Sequence, residues 1–280
     1  MKLLRHGPAG AEKPGILATD GTIRDLSGVV SEVGGAVLSD AGLEKIRAAN
    51  LAGLPVVDPD VRLGPCVAGI GKFICIGLNY SDHAAETGAS IPSEPIIFLK
   101  ATSAICGPND PIIIPRGSKK TDWEVELAVI IGSAAKYVTP DRALDHVAGY
   151  ALTNDVSERA FQIERQGQWT KGKSCDNFGQ IGPWLVTRDE VADPQALSMW
   201  LEVNGQRMQT GSTSTMVYGV AYLVSYLSQF MTLHPGDVIS TGTPPGVGLG
   251  MKPPQYLSAG DVVELGIDGL GRQRQEVIAD

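Results

Sequence analysis

Residues 121–127 read Thr-Asp-Trp-Glu-Val-Glu-Leu, and the pair Asn154-Asp155 follows downstream. In an extended strand residues i and i+2 share a face, so Glu124 and Glu126 point together, with Ala128 and Ile130 beyond them. Trp123, Val125, Leu127, Val129 and Ile131 line the opposite, apolar face. Two carboxylates side by side repel, and ionising both is costly unless a cation sits between them. A third carboxylate, Asp155, would complete an all-oxygen site of the kind Mg²⁺ or Mn²⁺ prefers. The same spacing also fits a half-exposed strand with a solvated acidic face.

Three further clusters bear on chemistry. In Asn79-Tyr-Ser-Asp-His-Ala-Ala-Glu86, a short helix capped by Ser81 or Asp82 sets His83 and Glu86 at i,i+3, within touching distance. A carboxylate beside an imidazole raises its basicity and orients it, as the activation of a water requires. A helix of barely two turns is unstable alone, so this segment is expected to order over a bound ligand; the competing account is a surface histidine with an incidental neighbour. On a helix predicted from Ser157 to Arg165, Arg159 and Gln162 share a face, and Lys173 sits in the glycine-rich Lys171-Gly-Lys-Ser174. An arginine and a lysine near three carboxylates balance charge and hold an anionic substrate, although each alone also reads as a solvated surface charge. The loop Ser240-Thr-Gly-Thr-Pro-Pro-Gly-Val-Gly248 offers threonine hydroxyls and backbone N–H groups suited to an oxyanion, or forms a plain turn.

Two motifs mislead. Gly167-Gln-Trp-Thr-Lys-Gly-Lys-Ser174 matches the P-loop pattern letter for letter, but a polar helix precedes it and a helix-breaking run follows. Gly246-Val-Gly-Leu-Gly250 leads into Lys252-Pro-Pro, which cannot open a dinucleotide-binding helix.

The elements that must carry these residues are mostly strands. Short β-branched runs are predicted at Phe73–Gly77, Pro95–Leu99, Ile112–Ile114, Val125–Ile131, Trp184–Val186, Val262–Leu265 and near Val277. Helices are expected after Ser81, over Ser157–Arg165 and Met216–Phe230, and over Arg142–Val147; the run to Phe230 is apolar almost all round and reads as buried. Strands outnumber helices without alternating with them, so the fold class is mostly β, of the α+β type, rather than a doubly wound parallel sheet. Residues 1–65 read as a small N-terminal α+β domain and linker. They hold a hairpin around Asp20-Gly21 and a helix capped by Asp40 that runs to about Asn50, and Pro55, Pro59 and Pro65 follow. Residues 66–280 read as one larger domain, which carries the clusters above.

Composition narrows the function. A formal charge of −8 over 280 residues, with no basic cluster to offset it, argues against nucleic acid and anionic membranes as partners. No apolar run reaches the roughly 20 residues of a spanning helix. Cys66, Cys75, Cys106 and Cys175 show no paired-ligand spacing, which suits a reduced, cytoplasmic protein.

Together these clusters resemble the fumarylacetoacetate hydrolase family over roughly residues 70–280. In that resemblance Glu124, Glu126 and Asp155 are the metal ligands and His83 with Glu86 is the water-activating dyad. Arg159, Gln162, Lys173 and Thr243 match the family's arginine, glutamine, lysine and Gly-Thr-Pro threonine, with Lys173 catalytic. Tyr80 and Lys100 complete the substrate-binding set. The resemblance implies a rolled, mixed β-sheet core, Mg²⁺ or Mn²⁺ as cofactor, a homodimer and a small anionic diketo-acid substrate. Nearly the whole chain looks closest to bacterial hydrolases of 2,4-diketo-3-deoxy-L-rhamnonate or fuconate, which cleave a C–C bond to release pyruvate and a second acid such as lactate. Oxaloacetate decarboxylation and 2-hydroxyhepta-2,4-diene-1,7-dioate isomerisation are the alternatives within the family. A non-catalytic ligand-binding relative is the alternative outside it.

Overall fold

A computed structural model describes residues 1–82 and 91–280. Its spine is a mixed sheet in which the strands Leu185–Thr187, Val147–Asp155, Val125–Ile131, Val238–Ser240, Phe73–Gly77 and Ile96–Lys100 lie side by side. Val238–Ser240 runs parallel to Phe73–Gly77, and the other neighbours on this path are antiparallel. A second sheet orders Gln206–Ser212, Ser198–Val203, Val262–Ile267, Gly271–Ala279 and Ile112–Ile114. The mostly β, α+β class read from the sequence is the observed one.

The strand Val125–Ile131 explains the layering, because all seven of its residues are buried. Its period-2 pattern sorts them onto two cores. Trp123, Val125, Leu127, Val129 and Ile131 join a cluster with Leu201, Val263 and Leu265 of the second sheet and with Leu223 and Leu227 of the helix Val220–Phe230. Ala128 and Ile130, on the glutamate face, pack instead with Leu3, Ile16, Leu38, Leu43 and Ile46 of the N-terminal region. That region also extends the spine, since Lys2–His6 pairs with Leu185–Thr187 on one side and with Lys13–Leu17 on the other. Ion pairs tie this layer to the rest of the chain, among them Arg47 with Asp189 at 2.7 Å and Arg62 with Asp110 at 2.5 Å.

Several elements differ from expectation for identifiable reasons. The helix Asp40–Arg47 is capped by Ser39, whose side chain accepts from the Gly42 amide, rather than by Asp40, and it stops short of Asn50. Ser157 and Glu158 remain extended because they pair with Asp122 and Thr121, so the expected helix spans only Arg159–Ile163. Arg142–Val147 is replaced by a 3₁₀ segment, Pro140–His146. The helix predicted from Met216 begins at Val220, because the amides of Val217 and Tyr218 are engaged by Asn79. It is not buried all round either, as Tyr222 and Phe230 are 42% and 62% exposed. The strand Val147–Asp155, which delivers the third carboxylate, was not anticipated as a strand. The helix predicted after Ser81 falls largely outside the described residues.

Gly149 shows how closely that last strand is held. A Cβ there would lie 2.1 Å from the Val186 carbonyl oxygen. Gly149→Ala is therefore expected to lower the stability by about 2 kcal/mol or more through overpacking, read as a lower urea midpoint with an unchanged m-value.

Candidate metal and substrate site

Glu124 lies just before the strand Val125–Ile131 and Glu126 is that strand's second residue. The strand Val147–Asp155 pairs antiparallel with it in a register that sets Asn154 opposite Val125 and Thr153 opposite Glu126. The junction is locked by two hydrogen bonds, from the Glu124 amide to Asn154 Oδ1 at 3.0 Å and from the Asp155 amide to the Glu124 carbonyl at 2.9 Å. Register thus brings Asp155 beside the two glutamates. One carboxylate oxygen from each of the three lies within 4.8 Å of the others. Glu124, Glu126 and Asp155 are 7%, 1% and 1% exposed, which rules out a solvated acidic face.

Buried carboxylates need partners. Lys173 Nζ lies 2.8 Å from both Glu124 Oε2 and Asp155 Oδ2. Arg159 donates through Nη2 to Glu124 Oε1 at 2.7 Å, through Nε to Asp122 Oδ2 at 2.8 Å and through Nη1 to Gln162 Oε1 at 3.0 Å. Glu126 Oε2 accepts from Ser240 Oγ at 2.5 Å and from the Gly242 amide at 2.8 Å. Burial alone would push Glu124 up, but Lys173 and Arg159 outweigh it and hold the carboxyl at about 2. Among the described residues no cation is ion-paired with Glu126, and Lys173 offsets its burial only in part. Burial, then the charges of Asp155 and Glu124, push it well above the usual carboxylate range.

This donor set fits a hard divalent cation. It is all oxygen, comes from two adjacent rigid strands and is already spanned in part by an ammonium standing where positive charge is wanted. With all groups ionised, the four carboxylates Asp122, Glu124, Glu126 and Asp155 exceed the three cations Lys100, Arg159 and Lys173 by one charge. Adding a divalent ion reverses that sign and leaves room for an anionic substrate.

A cavity of about 220 Å³ opens over the carboxylates. Glu124, Glu126, Arg159, Gln162, Lys173 and Thr243 contribute its polar lining, and residues such as Phe98, Trp169, Val247 and Leu249 contribute the rest. Six of the expected site residues are therefore gathered around this opening, and Asp155 stands directly behind Lys173. The lysine in the P-loop-like stretch serves carboxylates rather than a phosphate.

Other expectations need correction. Tyr80 is fully buried in the core, its hydroxyl directed at Met199 Sδ, so it does not face the cavity. Lys100 is also sealed off. Its Nζ is 2.6 Å from Asp155 Oδ1 and donates to the carbonyls of Val156 and Lys173, so it steadies the site's frame and does not bind substrate. Thr243 lines the cavity, yet its hydroxyl donates to the Val125 carbonyl and accepts from Gln209 Nε2. The amides of the loop after Ser240, expected to meet a substrate oxyanion, meet the protein's own: Gly242 that of Glu126, Gly248 and Leu249 that of Asp122. His83 and Glu86 lie outside the described residues.

Asp122 is the residue that sequence reasoning missed. Fully buried, it clamps the loop amides at 2.7 and 2.9 Å and orients the Arg159 guanidinium. The signal was present, because the alternation that pairs Glu124 with Glu126 extends one step back to position 122.

Residues 72–278 match the model of the fumarylacetoacetate (FAA) hydrolase C-terminal family. The chain belongs to the fumarylacetoacetate hydrolase family. It is 65% identical over 276 residues, 98% of each chain, to a protein of Burkholderia multivorans whose name goes no further than a conjectured hydrolase. Among solved structures it is similar to the fumarylacetoacetate hydrolase of Exiguobacterium antarcticum, with 37% identity, a TM-score of 0.85 and all of both chains covered. It is also similar to a maleylpyruvate hydrolase of a Sphingobium species solved with manganese(II) and pyruvate, with 29% identity, a TM-score of 0.83, and 100% and 99% of the two chains covered. Other members of the fumarylacetoacetate hydrolase family that it resembles carry isomerase names.

Two outcomes follow for this member of the family. Lys173→Met takes one of two cations from Glu124, which keeps Arg159, and from Asp155, which keeps Lys100, so urea denaturation of the metal-free protein should show a loss of about 3 kcal/mol that shrinks when Mg²⁺ is added. The raised Glu126 carboxyl must shed its proton to serve as a ligand, so Mg²⁺ affinity should rise with pH and binding should release protons. Calorimetry in two buffers of different ionisation enthalpy, repeated at several pH values from mildly acidic upward, reads that release, and none at any of them would remove Glu126 from the ligand set.

Proposed function

We propose that the protein is a divalent-metal-dependent hydrolase of 2,4-diketo acids. It cleaves the C3–C4 bond to give pyruvate and a second acid, with 2,4-diketo-3-deoxy sugar acids such as 2,4-diketo-3-deoxy-L-rhamnonate as the substrate class. The observation that carries this reading is the trio of buried carboxylates within 4.8 Å of one another, at a cavity that also presents Lys173 and Arg159. When bound there, Mg²⁺ or Mn²⁺ supplies a Lewis acid for the negative charge released as the carbon–carbon bond parts. The relative solved with manganese(II) and pyruvate supports the reading, because pyruvate is one product of this cleavage.

The chain's own groups divide the remaining work. Lys173 Nζ, held by Glu124 and Asp155, places positive charge beside the reacting end of the substrate. Arg159 and Gln162, linked through Nη1 and Oε1, form a planar donor edge that orients an anion. In this proposal His83 is the base of the dyad that the His-x-x-Glu pattern with Glu86 suggests, taking a proton from the water whose oxygen adds to the C4 carbonyl. The C3–C4 bond then breaks and C3 gains a proton, which balances the hydrolysis.

The test is release of pyruvate from acylpyruvates and 2,4-diketo sugar acids with Mg²⁺, in parallel with oxaloacetate and a dienedioate isomerisation substrate. We expect diketo-acid cleavage that chelator abolishes and that His83→Ala lowers by about 10²–10⁴-fold. Isomerisation or decarboxylation with no diketo acid cleaved would overturn the proposal, and full-rate cleavage by His83→Ala would remove the water-activating step.

A further inference from the structure

We infer that the cavity selects an acyl tail ending in a methyl or alkyl group over one ending in hydroxymethyl, and that Trp169 is the specificity-determining residue. The inference rests on the proposed cleavage of a 2,4-diketo acid and names the part of the substrate that reading leaves open.

The lining is divided by polarity. Among the described residues its charged and hydrogen-bonding side chains belong to the carboxylate cluster, its partners Arg159, Gln162 and Lys173, and Thr243, whose hydroxyl is already engaged on both sides, with the indole N–H of Trp169 as the one further donor. The remainder of the described lining is apolar, led by Ile76, Leu78, Phe98, Trp169, Val247 and Leu249. A hydroxyl placed against the aliphatic and ring-carbon surface of these side chains would lose its water and gain no partner, whereas a methyl group gains by leaving water.

Trp169 is held there by specific means. Its ring occupies the space where a side chain at position 77 would be: a Cβ on Gly77 would lie 2.5 Å from Trp169 Cζ3. Phe98 meets the indole edge-on, with centroids 5.4 Å apart, and the same Phe98 ring lies 5.1 Å from Lys173 Nζ. The apolar wall therefore begins where the charged floor ends. Trp169 and Lys173 are also joined within one turn, since the Lys173 amide donates to the Trp169 carbonyl at 3.1 Å. That turn fixes the spacing between the ammonium, which serves the anionic end of a substrate, and the indole, which would meet the other end. Leu78 adds a second sign of selection, because it reaches the lining from a left-handed backbone conformation, φ +53°, that a leucine rarely adopts.

The experiment pairs two diketo acids that differ only at the tail, 5-hydroxy-2,4-dioxohexanoate and 5,6-dihydroxy-2,4-dioxohexanoate, with the Mg²⁺-loaded protein. The methyl-ended acid should have a kcat/KM about 10–100-fold higher, the range an apolar pocket achieves against an added hydroxyl. Trp169→Ala should collapse that ratio while Trp169→Phe keeps most of it. Equal rates on the two acids, or an unchanged ratio in Trp169→Ala, overturn the inference. A binding series covers the case in which no diketo acid is cleaved. Calorimetry with Mg²⁺ and the non-cleavable 2-oxobutanoate, 2-oxopentanoate and 2-oxohexanoate should show binding tighten by about fourfold per methylene. A flat series sinks the apolar wall as a selector even if cleavage is observed. A rising series without cleavage retains the wall and discards the reaction.

Discussion

Three carboxylates buried side by side at the middle of a sheet are the constraint to which the rest of this molecule answers. Removing Glu124, Glu126 and Asp155 from water is expensive, and their mutual repulsion adds to the cost. The fold meets it by converging positive charge and donors from distant parts of the chain: Lys100, Arg159, Lys173, Ser240 and the Gly242 amide. The compensation is uneven. Glu124 receives two cations and stays ionised far into acid, while Glu126, whose direct donors among the described residues are neutral, holds its proton more readily. That unevenness leaves the site short of positive charge, the condition under which a divalent ion binds.

The same cluster dictates what surrounds it. On the glutamate face of the central strand, Ala128 and Ile130 are covered by the N-terminal layer, and the cavity opens only beside the carboxylates. On the other face the second sheet and the helix Val220–Phe230 seal the strand completely. Asp122 extends the arrangement outward by anchoring both the loop that carries Val247 and Leu249 and the guanidinium that reaches Glu124. Charge balance and cavity shape are therefore coupled through one buried side chain.

The alternation across residues 123–131 was readable because strand periodicity is a local property, and its split onto two cores matches the structure residue by residue. The strands Phe73–Gly77 and Ile112–Ile114 were legible for the same reason. Val147–Asp155 was not. It is buried on both faces and carries glycine, threonine and asparagine among its apolar residues, so it shows no alternation to read. The start of Val220–Phe230 was misplaced because the competing partner, Asn79, lies far away in sequence.

By itself the sequence determined which residue types could hold a hard cation and that two of them share a face, since both follow from side-chain chemistry and the geometry of one strand. It also carried the motif pattern of the family. Only the tertiary structure decided that Asp155 stands beside those two, because this depends on the register between strands. The same holds for Lys100, which steadies the frame instead of touching substrate, and for Tyr80, which belongs to the core. Position relative to a cavity is a property of the packed chain, set by contacts between residues that no local spacing relates.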